Sequence, residues 1–182
     1  MQNGNIKMKS EIPPEVKKII ATLNEAGHEA FVVGGCVRDL LMSVTPKDWD
    51  VTTDAKPEQI QKLFPDSFYE NDFGTVGVKT EIGVVEVTTY RLESGYTDKR
   101  HPDEVKFATK LQDDLQRRDF TMNAVAMGIK KHVSRNMNHD TGYMIHDPFE
   151  GQKDIERKLI RAVGDAEQRF SEDALRMLRA VR

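Results

Sequence analysis

The stretch Ala30-Phe31-Val32-Val33-Gly34-Gly35-Cys36-Val37-Arg38-Asp39-Leu40-Leu41 constrains the chain more than any other. Four apolar residues in an unbroken row read as a short buried strand, and Val37, Leu40 and Leu41 then recur at a period near 3.6, so the two glycines join a strand to a helix. The flanking sequence keeps this alternation. Val16, Ile19, Ile20 and Leu23 have helical spacing between the start signal Pro13-Pro14 and a stop at Gly27. A strand is expected over Trp49–Thr52, a helix over Pro57–Phe64, and two strands, Thr75–Lys79 and Val84–Tyr90, joined by a turn at Glu81-Ile82-Gly83. The fold class is therefore mixed α/β.

Arg91 to Asp103 is polar and rich in breakers, and reads as a long flexible loop. From Gln152 onward helical patterns dominate, and Ser171–Arg182 reads as one final helix. Residues 1–150 are accordingly expected to form one unit and 151–182 the start of a helical one. A helix still running at Arg182, with no stop signal, predicts a piece of a longer chain. With 182 residues, 38% of them hydrophobic, the chain can bury one real core. No run of 18 apolar residues occurs, which excludes a helical membrane span. Met1–Ser10 has no apolar core of a signal peptide, so a cytoplasmic location is expected. Cys36 is the only cysteine, which rules out an internal disulfide and a cysteine zinc site and leaves a small buried filler. Oligomeric state is not legible.

Within Lys47-Asp48-Trp49-Asp50-Val51, alternation along a strand would send both carboxylates to one side and Trp49 to the other. Paired carboxylates suit a hard cation such as Mg²⁺, although Asp-x-Asp also occurs on solvated strand ends. Glu86 interrupts the apolar run Val84-Val85-Glu86-Val87, and a carboxylate among valines needs a reason. If its strand lies beside that of Asp48, Glu86 becomes a third carboxylate; otherwise it faces outward from an edge strand. Gly34 and Gly35 at a helix start let backbone N–H groups approach an anion, with Arg38 one turn along to share its charge. A Gly-Gly pair can equally be only a turn. The formal charge of −3 does not announce a nucleic-acid binder, but from Gly151 onward eight Lys and Arg stand against six Asp and Glu.

Taken in order, Gly34-Gly35-x-Val37-Arg38-Asp39, Asp48-x-Asp50, Arg117-Arg118-Asp119-Phe120-Thr121-Met122-Asn123-Ala124 and Glu172-Asp173-Ala174-Leu175-Arg176-Met177-Leu178-Arg179 resemble the class II CCA-adding enzymes, tRNA nucleotidyltransferases that share a catalytic head with bacterial poly(A) polymerases. The resemblance runs from about Val16 to Arg182. It implies a polymerase-β-like head with a small mixed sheet flanked by helices, then the first helices of an all-helical neck; most of the neck, and the body and tail, would lie outside this chain. It implies that Asp48 and Asp50 bind Mg²⁺, and that Gly34, Gly35 and Arg38 hold the triphosphate. Arg118 and Asp119 would contact nucleotide and ribose, with Asn123 near the phosphates. Without the resemblance, Arg117-Arg118 reads as a charged helix surface.

On the final helix, Asp173, Arg176, Arg179 and Arg182 sweep one half of the cylinder at about 100° per residue, as in any amphipathic surface helix. Cytosine and adenine both offer an amino donor beside a ring-nitrogen acceptor, so a carboxylate and a guanidinium one turn apart suit both and reject uracil and guanine. The resemblance implies this role for Asp173 and Arg176, with Arg179 and Arg182 supporting the nucleotide. The reaction implied is attack of the RNA 3′-hydroxyl, aided by two metals, on the α-phosphorus of CTP or ATP, with tRNA as the partner. A poly(A) polymerase, or a relative adding only CC or only A, is the alternative of like chemistry; the resemblance implies that CC-adding relatives lack a flexible element at Arg91–Asp103, so its presence favours the full CCA reaction. A non-catalytic nucleotide or RNA module is the alternative of another class. His132, His139 and His146, with Asp140 and Asp147, could suggest a metal phosphohydrolase, but their spacing across Asn, Gly and Pro reads as surface histidines. Lys130–Met144 is longer and more polar than the short hairpin usual in the family.

Overall fold

The computed structural model describes residues 11–71, 73–97, 100, 102–130 and 142–181. Helix α1 (Pro14–Glu25) leads into β1 (Ala30–Val33), α2 (Gly35–Leu41), β2 (Asp50–Thr53) and α3 (Pro57–Leu63). Strands β3 (Ser67–Asn71), β4 (Thr75–Thr80) and β5 (Gly83–Thr89) follow, then β6 (Arg91–Ser94) and β7 (Glu104–Phe107). Helix α4 (Leu111–Gln116), a 3-10 turn (Thr121–Asn123), β8 (Ala126–Ile129) and β9 (Tyr143–His146) precede the helices α5 (Gly151–Arg157), α6 (Ala166–Glu172) and α7 (Leu175–Val181). No helix among the described residues is long and apolar enough to cross a membrane.

Seven strands form one sheet in the order β3-β4-β5-β2-β1-β8-β9. Every neighbouring pair is antiparallel except β2 with β5. One face carries Val32, Val51, Val76, Val78, Val85 and Val87 against Val16, Ile19, Ile20 and Leu23 of α1 and Ile60 of α3. Burying the four aliphatic side chains of α1 contributes about 1.5–3 kcal/mol each, before the entropy of ordering them is set against it. Over part of the other face, Leu111 and Leu115 of α4 pack with Phe31, Val33, Tyr90 and Ala126. Cys36 is buried in the first core, donates to Val33 O at 3.2 Å, and has its thiol pushed by burial up to about 11, as befits a filler.

Three expectations need correction. Part of the expected flexible loop Arg91–Asp103 is regular: β6 pairs antiparallel with β7, and Asp103 N–H donates to Gly95 O at 3.0 Å. Its alternation is inverted, with Arg91 and Glu93 turned inward and Leu92 outward, so a hydrophobic pattern could not reveal it. Residues 98, 99 and 101 of that segment lie outside the description. The final helix is two, broken at Asp173, whose backbone is extended (φ −139°, ψ 108°) between α6 and α7. Nor is His146 a surface histidine, since its half-buried ring meets Phe31 edge-on at 4.9 Å. Lys130 and Met144 flank a gap in the description, residues 131–141, which also takes His132, His139 and Asp140 out of view.

The inverted hairpin is held by charge. Asp114, 0% exposed, accepts from Thr52 Oγ1 of β2 at 3.1 Å, from Arg117 Nε at 2.9 Å and from Arg118 Nη2 at 3.2 Å. Arg117 Nη1 and Arg91 Nε both donate to Glu93 Oε1 at 2.8 Å. Burial alone would raise both carboxyls, but Arg117 with Arg118 outweighs it at Asp114, and Arg117 with Arg91 at Glu93, so both lie below the usual carboxylate range. Removing one partner of such a buried group leaves uncompensated charge, so Asp114→Asn should cost about 3–5 kcal/mol. Because the native carboxyl is lowered from 3.8, its contribution is full above that value and drains away as pH falls from there through the native value. Urea melts from pH 7 to 3 should show an acid-side fall that is shallower in the variant; equal stabilities would contradict the network.

Candidate active site

The parallel register of β2 and β5 sets Asp50 directly beside Glu86 on one face of the sheet. Glu86 N–H donates to Trp49 O at 3.3 Å, which extends the pairing one residue before β2. Asp48 lies just outside the strand and is exposed, Trp49 is buried in the core on the far face, and Asp50 is half-buried. Burial raises the Asp50 carboxyl above its usual value; Arg118 opposes the shift and the charge of Asp48 adds to it. Among the described residues no three acidic, histidine or cysteine side chains close on one point to hold an ion unaided. Two carboxylates of hard oxygen donors nonetheless fit a cation such as Mg²⁺, which keeps open positions for waters and substrate phosphates.

Gly34, the residue before α2, has φ 82°, a conformation that side chains resist. A Cβ there would stand 3.0 Å from Arg118 Nη1 and 3.7 Å from Asp50 Oδ2. Glycine thus leaves a clear approach between a guanidinium and a carboxylate. Its own N–H donates to Val125 O at 3.4 Å, so Gly34 offers space more than a donor. Arg118 Nε is buried without a hydrogen-bond partner among the described residues, a spare donor beside that space. Gly35 opens α2, and a Cβ there would stand 3.6 Å from Arg38 Nη2.

From Arg38 a chain of polar side chains crosses to α7. Arg38 Nε and Nη2 hold Asp39 Oδ1 at 2.9 and 2.7 Å, and Nη1 donates to Asn123 Oδ1 at 3.0 Å. Asn123 Nδ2 donates to Asp119 Oδ1 at 3.0 Å, Asp119 Oδ2 lies 3.3 Å from Arg179 Nε, and Arg179 Nη2 pairs with Asp173. Arg38, Asn123, Asp119, Arg179 and Asp173 are thereby brought together, and Gly34, Asp50 and Arg118 form a second group. Asp173 and Arg176 do not work as the free pair that helical spacing suggests. Asp173 Oδ1 caps α7 through Leu175 N–H at 2.9 Å, whereas buried Arg176 donates to Glu172 at 2.7 Å and stacks over Tyr96 at 5.8 Å. Arg182 lies outside the described residues.

The sequence reading missed Asp114, Glu93, Arg91 and Tyr96, whose hydroxyl donates to Glu93 at 2.8 Å. Leu111, Asp114 and Leu115 share one buried helical face, and a lone acid on an apolar face was the available signal.

A mixed sheet that gathers carboxylates beside a glycine turn and a half-buried arginine defines a polymerase-β-like nucleotidyltransferase head. Residues 30–161 match the model of the poly(A) polymerase head domain, and the chain belongs to that family. It is 48% identical over 166 residues to a CCA-adding enzyme of Listeria monocytogenes, covering 90% of this chain and 39% of that relative. To the CCA-adding enzyme of Bacillus subtilis it is 47% identical over 165 residues, 90% of this chain and 38% of the relative. The fold matches a crystal structure of the Bacillus stearothermophilus CCA-adding enzyme in complex with CTP, at 40% identity and a TM-score of 0.76, over 93% of this chain and 39% of that one. It also matches the Thermotoga maritima CCA-adding enzyme complexed with tRNA-CCA, at 25% identity and a TM-score of 0.66, over 93% and 37%. The chain therefore spans about two-fifths of the relatives it matches.

Gly34→Ala should lose stability twice over, once for a backbone conformation (φ 82°, ψ −137°) that side chains resist, about 1–3 kcal/mol, and again for displacing Arg118. Gly27→Ala is the control, with φ 89° and nothing within 4 Å of a Cβ. Urea unfolding of both variants checks this; a Gly34→Ala loss no larger than that of Gly27→Ala would contradict the close approach.

Proposed function

We propose that this chain is the catalytic head of a template-independent tRNA nucleotidyltransferase, which adds C, C and A to the tRNA 3′ end from CTP and ATP with release of pyrophosphate. The observation that carries the reading is the register of Asp50 with Glu86 beside the Gly34 turn and Arg118, supported by the names of the relatives. Asp48 and Asp50 would hold Mg²⁺, which supplies positive charge against the triphosphate and polarises the reacting oxygens. Glu86 shares Asp50's face of the sheet and adds a third negative charge near the attacking hydroxyl.

Arg38 and Arg118 neutralise the triphosphate, and the space left by Gly34 lets it come close to the backbone. Both guanidiniums are fixed before substrate arrives, Arg38 by Asp39 and Asn123, Arg118 by Asp114, so little reorganisation is required at the moment of transfer. Catalysis then rests on position and charge more than on a dedicated base. Base choice resides in the Asp119–Arg179–Asp173 chain, where a carboxylate can accept from the amino group common to C and A. Arg176 acts there by holding α6 to α7 through Glu172. We place the boundary between head and helical neck at residue 150, with the neck's first helices carrying Asp173 and Arg179.

In the full-length protein, Asp48→Ala or Asp50→Ala should lower incorporation into a tRNA lacking its CCA end by about 10²- to 10³-fold, a loss of the size seen when one charge-stabilising group is removed, while the fold persists. Undiminished incorporation would refute the metal assignment. Supplying the truncated tRNA with CTP alone, ATP alone or both, and sequencing the products, should give CC, no addition and CCA; runs of A would instead establish a poly(A) polymerase.

A further inference from the structure

The face of the sheet that bears Asp50 and Glu86 continues past them, and its far half is open. A single row crosses it: Asp50 of β2 faces Glu86 of β5, Glu86 faces Gly77 of β4, and Gly77 faces Phe68 of β3. At one end the face is closed, where Thr75 and Thr88 join hydroxyls at 3.1 Å and Phe107 lies against Gly74. Toward the other end Val84 and Phe68 are exposed, at 50% and 39%. Gly77 is the reason an aromatic ring can lie so near the carboxylates. A Cβ at that position would stand 2.6 Å from Phe68 Cζ, so any other residue would lift the ring off the sheet. Beside it, on the same face, Lys79 is paired with Val84 in register and its side chain is 59% exposed.

In-line displacement puts the entering oxygen and the departing pyrophosphate on opposite sides of the α-phosphorus. The anion-holding groups Gly34, Arg38 and Arg118 all lie on the β1 side of Asp50, so the entering hydroxyl must come from the β5 side. We propose that the shelf beyond Glu86, with Phe68 at its centre, seats the 3′-terminal nucleotide of the acceptor RNA: its base stacks on the Phe68 ring and its backbone phosphate meets Lys79. The inference rests on the nucleotidyltransferase reading above and adds the acceptor's position to it. The chemistry of the shelf suits the occupant. An aromatic ring accepts any base by its π-face, as a site must if the terminal nucleotide changes with each addition, and a neighbouring cation tracks the backbone without reading sequence. The Lys79–Asp66 pair, 3.7 Å apart and exposed at both ends, holds Lys79 only weakly, leaving it available to a phosphate.

The test uses the full-length protein with Phe68→Ala, Phe68→Leu, Phe68→Trp and Gly77→Ala, and reads two quantities: kcat/KM for a tRNA lacking its CCA end, and CTP affinity by equilibrium binding without RNA. Phe68→Ala and Phe68→Leu should lower kcat/KM for the RNA by about 5- to 100-fold, the range for losing one base stack, with CTP affinity within about twofold. Phe68→Trp should restore most of the loss, and Gly77→Ala should reproduce part of it with the ring still present. Leucine fills the space over Gly77 without a π-face, so full activity of Phe68→Leu would overturn the proposal, as would a loss matched by an equal loss of CTP affinity. A wild-type protein that extends no RNA would instead overturn the reading on which the proposal rests.

Discussion

Everything at the site follows from one pairing, the parallel ladder between β2 and β5 inside an otherwise antiparallel sheet. Antiparallel neighbours can be joined by a short turn, but a parallel pair needs a long crossover. Here the crossover is α3 followed by the β3–β4 hairpin, which returns the chain to β2 from the far side. That detour does two things at once. It puts Glu86 level with Asp50, although the two are far apart in sequence, and it lays down the strands that extend the same face beyond them. A slip of one residue in this ladder would turn Glu86 into the valine core and Val85 or Val87 out of it, so the hydrophobic pattern of β5 enforces the register the carboxylates need.

The second constraint is the buried charge at Asp114. It ties β2, through Thr52, to the two arginines that follow α4 and onward through Glu93 to the β6–β7 hairpin. Such a network is a costly way to gain stability, since its desolvation offsets most of what the charges return. What it supplies is direction. Arg118 is held from behind by Asp114 and faces Gly34 and Asp50 with its remaining nitrogens. Tyr96 carries the same network to Arg176, so the helices beyond residue 150 are in register with the site they approach.

The sequence made β1, β2, β4, β5 and the first three helices plain, because apolar periodicity and glycine or proline punctuation agree there, but it left β8, the buried neighbour of β1, unread. Asp48, Asp50 and Gly34 could be singled out because each stands at an element boundary, and Arg38 because it lies one helical turn beyond the glycines. Glu86 could be suspected, but only pairing could place it. The β6 strand was hidden because Arg91 and Glu93 are its inward residues, and charge compensation from Arg117 is a tertiary fact. The break at Asp173 was hidden by the good helix formers on both sides; its carboxylate caps α7 and so ends one helix to begin another. Edge strand β3 shows no clean alternation, and with it went the place of Phe68.

The proposed function requires one spatial arrangement: cation between Asp48 and Asp50, triphosphate on the Gly34 side, acceptor on the Glu86 side. A crystal structure of the protein with Mn²⁺ and CTP, read by anomalous scattering from manganese, tests it most directly. A manganese peak is expected within coordinating distance of both carboxylates, with the triphosphate running toward Arg38 and the face beyond Glu86 left clear. Manganese away from Asp48 and Asp50, or a triphosphate lying over Glu86 and Gly77, would contradict it.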